Sequence, residues 1–132
     1  MTENEELSIA LIDAEESQVE SLKEYLPEIE WRAESPKTAM EDRTPNAVIV
    51  FAKTHEEEVA LSRCHSLRES NEVTQVPVLV AISIYQMPLG NQVKRLPNCD
   101  LVFLSVTEEG PPIEREDLLE KLQGLQEQAQ SP

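Results

Sequence analysis

Few kinds of side chain in this chain are able to do chemistry. Its 132 residues include two histidines and two cysteines, against 26 carboxylates. His55 and Glu58 stand at i and i+3 near a helix start, a spacing at which two side chains can share a metal ion. No further His or Cys is close by, whereas a zinc site draws on three or four protein donors. Both are expected to be solvated. Cys64 and His65 are adjacent, and adjacent side chains on a helix diverge by roughly 100°, while a nucleophilic Cys–His pair must converge. No catalytic pair is expected there. Asp13-Ala14-Glu15-Glu16 places carboxylates where a flavin or nucleotide site of an α/β fold needs small or hydroxyl residues with amides aimed at phosphate. None of the three glycines lies in that segment, and the chain has no Gly-x-Gly-x-x-Gly phrase, P-loop or zinc spacing. These residues predict no cofactor and no metal.

The elements that would position a site are read from the apolar pattern. Leu7 to Ile12 is an apolar strand, and Val19, Leu22 and Leu26 then recur at helical spacing up to Pro27. Ile29–Ala33 alternates as a second strand, and Pro36 to Asp42 leaves room for a stunted second helix. After the Pro45-Asn46 turn, Ala47 to Ala52 is apolar at every residue, as a parallel strand covered on both faces must be. A third helix follows from His55 to Glu69, its stripe made by Ala60, Cys64 and Leu67 and widened by Leu61. Val76 to Ile82 is a fourth strand. Pro88 opens a short fourth helix with Leu89, Val93 and Leu96 inward, weakened by Gly90. Leu101 to Val106 is a fifth strand, and Leu118, Leu122 and Leu125 mark a last helix beyond the Gly110-Pro111-Pro112 break.

Strands alternating with helices call for a parallel sheet with right-handed crossovers. The expectation is an α/β, flavodoxin-like, doubly wound five-stranded sheet in the order 2-1-3-4-5. Five helices accompany it, the second and fourth short. One domain spans residues 1–132, with a core of about 7–126 between a frayed acidic start and a polar tail.

Four phrases carry a family likeness: Ile9-Ala10-Leu11-Ile12-Asp13-Ala14-Glu15, Pro45-Asn46-Ala47-Val48-Ile49-Val50-Phe51, Val76-Pro77-Val78-Leu79-Val80-Ala81-Ile82-Ser83 and Asn98-Cys99-Asp100-Leu101-Val102-Phe103-Leu104-Ser105. In this order, and over nearly the whole chain, they resemble the strand-end phrases of response-regulator receivers. The resemblance implies a phosphoryl-accepting aspartate ending the third strand, an acidic Mg²⁺-holding pair after the first, a hydroxyl after the fourth and a lysine after the fifth. The matching positions here are Phe51, Asp13-Ala14, Ile82 and Ser105, and Val102 stands where receivers often carry a switching aromatic. Phe51 has no atom that can attack phosphorus. The resemblance therefore implies a degenerate pseudo-receiver whose former pocket is Asp13, Ala14, Phe51, Ile82 and Ser105. Phe51 would fill that pocket with apolar contact, and Lys53 is expected to be a solvated loop lysine rather than a partner of Asp13.

A net charge of −15 repels phosphate backbones and anionic headgroups, so neither nucleic acid nor a membrane is expected as a partner. No apolar run approaches the roughly 20 residues of a spanning helix, and the acidic start MTENEE is unlike a secretory leader. The expected compartment is the cytoplasm, with Cys64 and Cys99 as small buried residues rather than a disulfide. The expected function is non-enzymatic: a protein-interaction module of signal transduction that docks a regulatory or signalling protein as a monomer or homodimer. By the same resemblance, its docking face is the fourth helix, fifth strand and fifth helix, with Lys94, Arg95 and Val102 as candidate contacts. The alternatives are a degenerate site still binding Mg²⁺, phosphate or another small ligand through Asp13, Glu15 and a hydroxyl of Ser83 or Ser105, or a dimerising structural domain.

Overall fold

The computed structural model describes residues 7–27, 29–34, 45–53, 56–69, 76–95, 99–104, 113 and 116–121. Its strands are β1 (Leu7–Ile12), β2 (Ile29–Glu34), β3 (Ala47–Phe51), β4 (Val78–Ile82) and β5 (Cys99–Phe103). They form one sheet in the order β2-β1-β3-β4-β5, every neighbouring pair parallel. The expected flavodoxin-like topology is the one observed. The helices are α1 (Glu16–Tyr25), α2 (Glu57–Glu69) and α3 (Met87–Val93), and a 3₁₀ turn, Ile84–Gln86, precedes α3. Residues 116–121 are also helical. The expected second helix, Pro36 to Asp42, lies outside the described residues, as do Leu96, Leu122 and Leu125.

Alternation along the strands divides the core into two layers. Ala10, Ile12, Val48, Val50, Val80, Ile82 and Leu101 pack with Ala60, Cys64 and Leu67 of α2 and Leu89 and Val93 of α3. Ile9, Leu11, Ile49, Phe51, Leu79, Ala81 and Val102 pack on the opposite face with Val19 and Leu22 of α1 and with Leu118. β3 and β4 are buried at every residue, which is why their sequences are continuously apolar rather than alternating. Trp31, the single tryptophan, is buried on the edge strand β2, and its indole Nε1 donates to the Leu26 carbonyl at 3.0 Å. Cys64 and Cys99 are buried and not joined in a disulfide.

Several boundaries differ from the sequence expectation, β2 running one residue further to Glu34 and β3 stopping one residue earlier at Phe51. β4 begins at Val78 rather than Val76, and α2 begins at Glu57. β5 begins at Cys99, two residues before the apolar run. The half-buried Asp100 is accommodated there because its Oδ1 accepts from the Leu101 N–H at 2.8 Å and its Oδ2 lies 3.8 Å from Lys121 Nζ. Leu104 leaves the ladder to make an isolated antiparallel bridge with Ile113. The Pro45-Asn46 turn is tied back to β1: Asn46 N–H donates to the Ser8 carbonyl at 2.7 Å, and Asn46 Oδ1 accepts from Ser8 N–H at 2.8 Å.

Gly90 does more than weaken α3. A Cβ at that position would stand 2.7 Å from Leu101 Cδ1 and 3.1 Å from Ile82 Cδ1, both on buried side chains. The missing methyl lets α3 lie close against β4 and β5. Gly90→Ala is therefore expected to destabilise the fold by about 1 kcal/mol in equilibrium denaturation, overpacking outweighing the gain in helix propensity. Unchanged or increased stability would contradict this account of α3 packing.

Candidate functional site

In an open parallel sheet the turns after the strand C-termini are where side chains from several elements converge. Here those turns follow β1, β3 and β4. Asp13, directly after β1, has φ 64°, a left-handed conformation that Asp tolerates better than most residues. The chain turns there into α1, whose start is closed when Gln18 Oε1 accepts from the Glu15 N–H at 2.8 Å. Asp13 Oδ2 receives Arg63 Nε at 3.1 Å, an ion pair reaching from the β1 end to the flank of α2.

Phe51 ends β3 and is only 3% exposed, packed with the α1-side layer that Ala14 and Leu104 also border. Two small depressions border it. One, of about 90 Å³, is lined by Asp13, Phe51, Lys53, Glu56, Val59, Ala60 and Arg63. The other, of about 310 Å³, lies among Asp13, Glu15, Gln18, Phe51, Ala52, Lys53 and Leu104. The hydrocarbon side chain of Phe51 lines both. It offers no lone pair to a cation or to phosphorus.

The sequence-derived positions come together only in part. Asp13, Ala14 and Phe51 meet at the strand ends. Ile82 is fully buried in the layer facing α2 and α3, and its side chain belongs to the core rather than to a pocket. Ser83 is half-buried, and its Oγ accepts from the Tyr85 N–H at 3.3 Å while capping the 3₁₀ turn. Ser105 and His55 lie outside the described residues. Among the described residues, no three His, Cys, Asp or Glu side chains converge as a metal site would require. His65 is exposed while Cys64 is buried.

Lys53 is exposed, and Asp13 pairs instead with Arg63, a residue that the sequence pattern did not single out. A signal for it exists: Arg63 immediately precedes Cys64 and follows Ala60 by three, on the border of the apolar stripe of α2. Val102 requires a correction as a candidate surface contact. It is fully buried in the α1-side layer, because strand alternation turns it away from the face on which Leu101 meets α3. The exposed apolar residue of β5 is its neighbour Phe103. Lys94 and Arg95, at the end of α3, are exposed.

No family model matches the sequence, and no curated protein does. Solved structures do match. A candidate response regulator from Chloroflexus aurantiacus J-10-fl superposes with a TM-score of 0.66 at 15% identity, over 93% of this chain and 99% of that one. The N-terminal signal receiver domain of a two-component response regulator from Bacteroides fragilis superposes with a TM-score of 0.69 at 15% identity, over 97% and 100% of the two chains. Likeness across both full lengths, with the strand order found here, establishes that this chain has the fold of response-regulator receiver domains.

Proposed function

We propose that the protein is a pseudo-receiver, a non-enzymatic module of signal transduction that works by binding another protein rather than by accepting a phosphoryl group. The observation that carries this reading is Phe51, a buried phenyl ring at the end of β3. It stands where the receiver resemblance calls for an aspartate. Ala14 and Ile82 support it, since neither can hold a cation or follow a phosphate, and Arg63 already supplies Asp13 with a positive partner.

The surface offered to a partner is formed by α3, the end of β5 and the turn before α3. From Val73 to Cys99 the sequence carries no carboxylate, although the chain as a whole has a net charge of −15. Lys94 and Arg95 are the charged residues of that stretch, and Tyr85, Met87 and Phe103 are exposed around it. A regulatory protein with an acidic patch fits this region better than the rest of the surface, where like charge opposes approach.

Incubation with acetyl phosphate followed by mass spectrometry is expected to leave the intact mass unchanged. Titration with Mg²⁺ and a phosphoryl mimic is expected to leave the amide NMR shifts of Asp13, Phe51 and Ser83 unmoved. Saturable shifts at those residues would replace this reading with that of a ligand-binding receiver. Light scattering over a concentration series separates a monomeric module from a dimerising one.

The Asp13–Arg63 pair is partly solvated, at 26% and 39% side-chain exposure, so water and salt screen most of its Coulomb attraction. A double-mutant cycle with Asp13→Asn and Arg63→Gln should give a coupling of about 0.5 kcal/mol that shrinks as salt is added. Asn is chosen because it tolerates the positive φ of Asp13. A salt-independent coupling of ~2 kcal/mol or more would instead make the pair a desolvated structural clamp.

A further inference from the structure

Gln86 is the last residue of the 3₁₀ turn between β4 and α3 and is only 6% exposed, although its neighbours Tyr85 and Met87 face solvent. Ser8 is the other polar residue buried to a similar degree among those described. A buried carboxamide is costly unless its donors and acceptor are matched. Those of Gln86 are matched across two separate turns. Its Nε2 donates to the Lys53 carbonyl at 3.3 Å and to Glu57 Oε2 at 2.9 Å, while its Oε1 accepts from the Ser83 N–H at 2.9 Å.

Both N–H groups of the amide are thereby used, and the orientation is the one in which donors meet oxygens and the oxygen meets an N–H. The Lys53 carbonyl also accepts from the Glu56 N–H at 3.0 Å, so the turn between β3 and α2 is held from within and from across the sheet end. Partners 33 and 29 residues away in sequence are joined through one side chain.

We infer that Gln86 is an internal latch: it fastens the β4–α3 turn to the β3–α2 turn and holds Tyr85 outward as a pre-ordered contact residue. The bonds account for both halves. Three residues make a 3₁₀ turn, so anchoring Gln86 inward directs its two sequence neighbours away from the core. Tyr85 is 86% exposed, and an ordered aromatic loses little conformational entropy when a partner covers it. In this arrangement the relative position of the two turns is set by amide and carboxylate groups of the chain itself, and Gln86 acts as a positioning residue.

Amide hydrogen exchange on the free protein tests the latch independently of the pseudo-receiver reading, because neither a partner nor a phosphoryl donor is present. Gln86→Ala is expected to speed exchange of the Ser83 amide by roughly tenfold, the scale of one lost hydrogen bond, while the Leu11 and Val80 amides keep their rates. The backbone order of Tyr85 should fall with it. Should Gln86→Ala not fold, Glu57→Ala removes one partner at a half-buried helix start and is expected to give a smaller rise at Ser83 with the sheet unaffected. Unchanged Ser83 exchange in the folded variant would overturn the latch. So would a rise shared equally with Leu11 and Val80, since that marks loss of global stability only.

Discussion

Burial of β3 and β4 at every residue is the constraint on which the rest of the structure depends. A strand covered on both faces satisfies its backbone groups within the sheet and has no side chain to spare for solvent. Chemistry is therefore confined to the turns that follow the strands, and the residue types there decide what the fold is able to do. At the end of β3 the residue is Phe51, so the core continues to the rim of the sheet instead of stopping short of it. The acidic Asp13 beside it is met by a guanidinium from α2 rather than left to attract an ion.

The turns after β1 and β4 are closed by the same device. Gln18 reaches back to the Glu15 N–H, and Gln86 reaches back to the Ser83 N–H, each across three residues. The two differ in where the amide goes next. Gln86 is buried and continues to Lys53 and Glu57, whereas the Gln18 bond lies at an exposed helix start. One glutamine only caps, and the other also joins two parts of the chain.

Much of the architecture was legible because apolar runs and proline punctuation record burial and chain reversal directly. The strand order followed from the alternation of elements, and Leu89 and Val93 were found on the buried side of α3. What resisted reading depended on contacts between distant residues. The early start of β5 rests on Lys121 and on a side-chain bond that makes Asp100 tolerable there. Gly90 reads locally as a helix weakness, and its spatial meaning needs Leu101 and Ile82. Val102 was misplaced because a strand position had been transferred by likeness, while its side of the sheet is set by alternation. Phe51, Asp13 and Ala14 were legible as a group, whereas the Arg63 that completes the group is distant in sequence.

Trp31 carries a practical consequence for anyone following this protein in solution. The chain has one tryptophan, and it sits on the outer strand β2 with its indole bonded to the end of α1. Intrinsic fluorescence consequently reports the detachment of one margin of the sheet. Events around Tyr85 take place at the turn after β4, which stands three strands away from β2 in the sheet order. An optical unfolding curve and a labelled probe placed on α3 would thus watch different parts of one molecule, and their coincidence or divergence would show whether the two regions melt together.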